Sequence, residues 1–134
     1  MSCLFNSISK LLVNELNVIN VKDLRKFICN YMENNLESIL RNDKLKDWLE
    51  LISLDKYNYI DIKRYIKDMK NNITWGGAPE IALVSKIFKV KIIVVDRTNK
   101  SNLIEFNNSD DKVYKKLFLE WTGGHYEPIK IEKI

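Results

Sequence analysis

The chain has 134 residues, 46% of them hydrophobic and 30% charged, which suits one soluble globular domain spanning 1–134 and argues against extended disorder. The formal charge is +4, a mildly basic surface that could face nucleic acid, an acidic membrane or an acidic protein. Because 18 acidic residues are mixed among 22 basic ones without a long like-charge block, a nucleic-acid-binding domain is disfavoured, and no apolar run approaches membrane-spanning length.

From the N-terminus, Leu4, Ile8, Leu11, Leu12 and Leu16 recur at helical spacing. Asn20 and Asp23 form a variant capping box opening a second helix, with Leu24, Phe27, Ile28 and Tyr31 on one face. Amphipathic stretches follow at Leu45–Leu54 and Asp55–Met69. Residues 71–77 form a loop ending in Gly76-Gly77. Pro79 suits the first turn of the next helix and Glu80 favours its dipole; Ile81, Leu83, Val84 and Ile87 continue it. Val90–Val95 is a β-branched run expected as a central strand. Leu103–Phe106 and Leu117–Trp121 read as strands, Asn107–Lys112 as a mobile polar loop, Gly123-Gly124 as a turn, and His125–Ile131 as a returning strand. Helices first and strands later define an α+β domain whose small sheet is mostly antiparallel.

Few residues offer chemistry. Cys3 and Cys29 form no CxxC and join no Cys/His cluster, so a structural zinc site is not expected. The N-terminus lacks a secretory signal pattern, which leads to the expectation of a reducing, cytoplasmic setting. Cys3 opens the first helix, where the N-terminal dipole favours the reactive thiolate; the alternative is a buried structural thiol. Cys29, beside Phe27 and Ile28, reads as core. His125 is the sole histidine and follows a Gly-Gly turn, which makes it accessible; the alternative is an inert surface or core imidazole.

A cysteine opening a helix and a histidine on a distant strand form the arrangement of papain-like proteases. The imidazole then needs an orienting partner. Glu127 lies two residues on, so it shares a strand face with His125. A solvent-facing glutamate is the alternative reading, and Asn107 a weaker candidate for the orienting role.

Four pieces, taken together, resemble the ovarian-tumour (OTU) family of cysteine proteases. Cys3-Leu4-Phe5 with Ser7 resembles its nucleophile motif, and Leu24-Arg25 its Leu-Arg step. Trp75-Gly76-Gly77 with Glu80-Ile81 and Ser85 resembles its W-G-x-x-x-E-I/L segment. His125-Tyr126 before an acidic residue resembles its histidine motif. The resemblance implies a papain-like fold in which N-terminal helices pack on the sheet. It implies Cys3 as nucleophile, His125 as general base and acid, and Glu127 in place of the usual Asp or Asn. It also implies cleavage of ubiquitin, polyubiquitin or another ubiquitin-like modifier from lysine, an activity that needs no cofactor or metal; a monomer is the default expectation for the oligomeric state.

Only Met1 and Ser2 stand where the family usually carries an Asp-Gly-x stretch before the cysteine, so either the oxyanion hole uses the Cys3 amide with another donor or the natural chain begins earlier. That departure keeps open a catalytically impaired ubiquitin-binding module. The modifier's tail ends in Arg-Gly-Gly, and Gly76, Gly77, Gly123 and Gly124, with Trp75 and Tyr126, are expected beside its channel; simple turns are the alternative for the glycines, and core capping for Trp75. Asp96 or Glu120 is expected to pair with the tail arginine. The bias toward Asn, Lys and Ile suits an AT-rich genome, such as that of an intracellular bacterium or large DNA virus, where the activity would remove host ubiquitin marks.

Overall fold

A computed structural model describes residues 3–12, 20–100, 102–106 and 115–129. Helix α1 (Cys3–Leu12) buries Leu4, Ile8 and Leu12 as their spacing predicts; Leu16 lies outside the described residues. Helix α2 (Val21–Asn34) begins at the expected cap, where Asn20 Oδ1 accepts the Asp23 N–H at 2.8 Å and satisfies one of the orphan donors of the first turn. Its buried stripe runs along Leu24, Arg25, Ile28, Cys29 and Met32. Position 27 therefore falls on the margin of that stripe. Phe27, expected on the buried face, is 46% exposed, with its ring 6.1 Å from that of Phe88.

A short antiparallel ribbon follows, β1 (Ile39–Leu40) with β2 (Asp43–Lys44). Two residues per strand are too few to show a period-2 pattern, so this ribbon left no signal in the sequence. Helix α3 (Leu45–Tyr57) covers the stretch expected at Leu45–Leu54 and runs on to Tyr57, and helix α4 (Ile62–Lys70) takes the place of the stretch expected over Asp55–Met69. The break is built from polar residues. Asn58 takes a left-handed conformation (φ 65°) and ends α3. Asp61 caps α4 by accepting the Arg64 N–H at 3.0 Å, while its own N–H donates to Ser53 Oγ at 3.1 Å.

Helix α5 (Ala78–Phe88) has Pro79 in its first turn and ends at Lys89, also left-handed at φ 55°. It leads directly into β3 (Val90–Asp96). With β4 (Asn102–Phe106), β5 (Lys115–Trp121) and β6 (Tyr126–Ile129), this strand forms a sheet of order β4-β3-β5-β6. The two outer pairings are antiparallel, while the central β3–β5 pairing is parallel, with Ile92 opposite Leu117. Parallel neighbours need a crossover; here the chain visits one edge of β3 as β4 before pairing on the other side as β5. The interior position of β3 explains its continuous apolar run, since Ile92, Ile93 and Val94 are all buried. The last described strand covers Tyr126–Ile129, so His125 precedes it rather than opening it. Asn107–Lys112 lies outside the described residues.

Helix α5 packs on β3, and α1 packs on β6 and β5. The second of these contacts brings the start of the chain to residues 125–128. No described helix is long and apolar enough to cross a membrane.

Candidate active site

Where α1 meets β6, a cavity of about 340 Å³ opens. Its wall takes Cys3, Asn6, Ser7 and Lys10 from α1, Trp75 from the loop before α5, and residues 125–128. Ser7 fixes this junction. Its Oγ lies 2.8 Å from the Cys3 carbonyl oxygen and 3.1 Å from that of Tyr126, so one hydroxyl proton is shared between helix and strand. Cys3 is 9% exposed and is the first residue of α1. The backbone N–H groups of that first turn have no intrahelical acceptor, so the thiol stands beside a helix N-terminus.

His125 arrives by a tight turn. Trp121 pairs with Tyr126 across the hairpin, and the Thr122 N–H donates to the His125 carbonyl at 3.0 Å. Gly123, at φ 103°, supplies a conformation that side-chain-bearing residues rarely adopt. The His125 Nε2 atom is in hydrogen-bond contact with the Glu127 carboxylate although His125 lies just before β6 rather than in it. That contact occupies one ring nitrogen and leaves Nδ1 for a second partner. Both side chains are about half exposed.

The Trp75 loop is held from below. Glu80 is fully buried; its Oε1 accepts the Gly77 N–H at 2.6 Å and its Oε2 accepts the Tyr65 hydroxyl at 2.7 Å. Burial pushes its carboxyl up to about 7, against the pull of these two hydrogen bonds. The same burial raises the Tyr65 hydroxyl well above its ordinary value. Arg25 Nη1 donates to the Met69 carbonyl at 2.8 Å and reaches that of Thr74 at 3.5 Å, while its guanidinium lies 4.5 Å from the Phe5 ring centroid. Lys56 Nζ adds a 2.6 Å bond to Thr74 Oγ1. A Cβ on Gly76 would stand 2.7 Å from Leu4 Cδ2 and 3.2 Å from Phe5 Cε2. Gly76 thus lets the loop press against α1 beside Cys3.

Of the residues singled out from sequence, Cys3, Trp75, His125, Tyr126 and Glu127 share this cleft. Among the described residues, the four glycines are not in its wall: Gly76 serves packing and Gly123 the turn, whereas Gly77 and Gly124 have open space where a Cβ would stand. Tyr126 is half-buried against Trp121, ring centroids 4.7 Å apart, and burial lifts its hydroxyl to about 12. Asn107 lies outside the described residues. Cys29 is fully buried, and burial pushes its thiol up to about 12, as a core residue should be.

Both acidic candidates for an arginine partner are already engaged. Asp96 Oδ1 accepts the Thr98 N–H at 2.9 Å, and Glu120 pairs with Arg97 at 2.8 Å. Asn6, Ser7, Lys10 and Pro128 were not read from the sequence as site residues, Ser7 figuring there only within the nucleophile motif. The first three stand at i+3, i+4 and i+7 from Cys3, the spacing of one helix face, and that spacing was a usable signal. Among the described residues no group of three metal-binding side chains occurs.

A thiol at a helix N-terminus, sharing a cleft with a carboxylate-bonded imidazole from the sheet, is the arrangement of the papain-like cysteine proteases. The profile of the OTU-like cysteine proteases matches residues 2–126, a span that includes Cys3 and His125 and stops one residue before Glu127. The chain belongs to this family. The ubiquitin thioesterase OTU1 of Saccharomyces cerevisiae is 30% identical over 132 residues, covering 98% of this chain and 37% of the relative. The ubiquitin thioesterase OTU1 of Xenopus laevis is 29% identical over 87 residues, covering 60% of this chain and 28% of the relative. Among solved structures, an ovarian tumor (OTU) domain in complex with ubiquitin superposes with a TM-score of 0.69 at 26% identity, over 95% of this chain and 62% of that one. This chain therefore spans well under half the length of these two relatives.

Proposed function

We propose that the protein is a thiol-dependent deubiquitinase that hydrolyses the isopeptide bond between the C-terminal glycine of ubiquitin and a lysine side chain. The observation that carries this reading is the cleft itself, where Cys3, His125 and Glu127 share one wall and Glu127 engages only one nitrogen of the imidazole. In the proposed reaction the Cys3 thiol gives its proton to His125, and the sulfur attacks the glycine carbonyl carbon. The carbonyl oxygen becomes an oxyanion beside the first-turn N–H groups of α1. The C–N bond then breaks, with His125 returning the proton to the departing lysine amine. Water, deprotonated by His125, attacks the thioester and releases the ubiquitin carboxylate, and the thiol is restored. Glu127 holds the ring and balances the charge of the imidazolium. Relatives named as ubiquitin thioesterases, and a solved relative that binds ubiquitin, support ubiquitin as the modifier. The free thiols of Cys3 and Cys29 suit the reducing cytoplasm proposed as its setting.

The test is intact mass after incubation with ubiquitin bearing a thiol-reactive electrophile at its C-terminus. One adduct is expected, absent in Cys3→Ala and slower to form in His125→Ala. An adduct that persists in Cys3→Ala removes Cys3 as nucleophile. No adduct with folded protein, alongside adducts with probes built on other modifiers, moves the substrate away from ubiquitin.

A further inference from the structure

A second cavity adjoins the cleft, about 550 Å³ in volume, lined by Lys22, Arg25 and Lys26 of α2, Lys70 at the end of α4, and Asn71 and Asn72 after it. Asn6 stands in the wall of both cavities, so the two meet at this residue of α1. Lys10, in the cleft wall itself, extends the positive surface. Lys22 and Lys26 are exposed, one helical turn apart, and make no ion pair with a described residue; Lys70 pairs with Glu33 at 3.0 Å. No acidic side chain lines this groove among the described residues.

A third cavity, about 510 Å³, has the opposite character. Asp43, Asp47 and Asp55 rim it, with Trp48 and Leu51 between them. It reaches Ala78 and Pro79, immediately after the Trp75 loop. The two grooves thus carry opposite sign, the lysine groove sharing Asn6 with the cleft and the acidic one reaching Ala78, close in sequence to Trp75.

This charge difference sets a direction for the substrate, and the argument rests on the deubiquitinase reading above. Ubiquitin approaches with an Arg-Gly-Gly tail. A groove of lysines repels that arginine, whereas carboxylates attract it. The lysine groove is then left for the other side of the scissile bond. We propose that it receives the leaving side of the substrate, an Asp/Glu-rich stretch of the target protein flanking the ubiquitinated lysine. The groove acts on target choice, and the chemistry stays at Cys3.

The test uses ubiquitin joined through an isopeptide bond to the lysine of short labelled peptides, with either acidic or basic residues around that lysine. Ubiquitin carrying a small fluorogenic amide, with no peptide on the leaving side, is cleaved in parallel. The expected result is a KM about tenfold lower for the acidic peptide than for the basic one, the size of two or three exposed ion pairs. That preference should shrink with added salt. In the double variant Lys22→Glu/Lys26→Glu it should disappear or reverse, while the small amide keeps its rate. Lys22→Glu lies in the first turn, where an acidic residue favours the dipole, and Lys26 is exposed, so the variant is expected to retain α2, which circular dichroism checks. Equal cleavage of both peptides, or a preference that survives in the double variant, overturns the assignment while the small amide still reports an active deubiquitinase. A small amide left uncleaved overturns the deubiquitinase reading, and this inference with it.

Discussion

Two glutamates serve the cleft from opposite environments. Glu80 lies under the Trp75 loop with no exposure and two hydrogen-bond donors, from Gly77 and Tyr65. Glu127 stands at the mouth, about half exposed, with its carboxylate on His125. The first holds backbone in place in a medium where an unmatched polar group is costly. The second holds a ring in a medium where water can replace it at little cost. The same side chain is therefore a stability element in one place and a positioning element in the other.

The sharpest break of this comparison is Glu80→Ala. It strands the Gly77 N–H and the buried Tyr65 hydroxyl, and should cost about 3 kcal/mol or more of unfolding free energy. Urea denaturation followed by circular dichroism measures this, and a loss under about 1 kcal/mol would contradict the role assigned to Glu80.

Acidity probes the same group without removing it. Between its ordinary value of 4.5 and about 7, Glu80 is ionised in the unfolded chain but still protonated in the fold. Its contribution is thus complete below pH 4.5 and declines as pH rises, with a total loss of about 3 kcal/mol by the time the folded carboxyl has ionised. Unfolding free energies at a series of pH values should show that fall in the parent protein and a flatter profile in Glu80→Gln. Parallel profiles for the two proteins would remove Glu80 as the source.

Gly76→Ala comes next. Its methyl group meets Leu4, itself fully buried, at 2.7 Å, too short for contact, and Phe5 at a tight 3.2 Å. About 1–3 kcal/mol of overpacking is expected. The displaced loop should also slow reaction with the ubiquitin probe, because Gly76 adjoins Trp75 of the cleft wall and packs directly on α1. A fully stable variant would show that α1 and the loop are less tightly packed than these distances imply.

Glu127→Ala should affect stability least, by under about 0.5 kcal/mol. Its effect belongs in the rate, about tenfold, a fraction of the roughly 10²–10⁴-fold that a positioned acid–base group contributes. Glu127→Gln, which keeps a hydrogen bond but no charge, should recover part of it. An unchanged rate in Glu127→Ala, set against a slowed His125→Ala, would show that the imidazole needs no carboxylate here.

Much of the site was legible before folding because it rests on local rules. Helical spacing placed Leu4 and Ile8 in the core and set Cys3 at a helix start. A spacing of two residues put Glu127 within reach of His125, and Gly123-Gly124 marked the turn that delivers the imidazole. The Asn20 cap, the Pro79 start and the β3 run were equally local. Each depends on backbone geometry within a few residues, which composition and spacing encode directly.

Other features depended on distant partners. Glu80 looked like a helix-dipole residue until Tyr65 and Gly77 closed over it. Gly76 looked like a substrate channel until Leu4 took the place of its side chain. Asp96 and Glu120 looked available until Thr98 and Arg97 engaged them. The parallel β3–β5 pairing, the margin position of Phe27 and the lysine groove between α2 and α4 arise only when segments far apart in sequence meet. Spacing along a chain determines which way a side chain points within its own element, whereas burial, pairing and local charge depend on what packs opposite it, and that is decided by the tertiary structure alone.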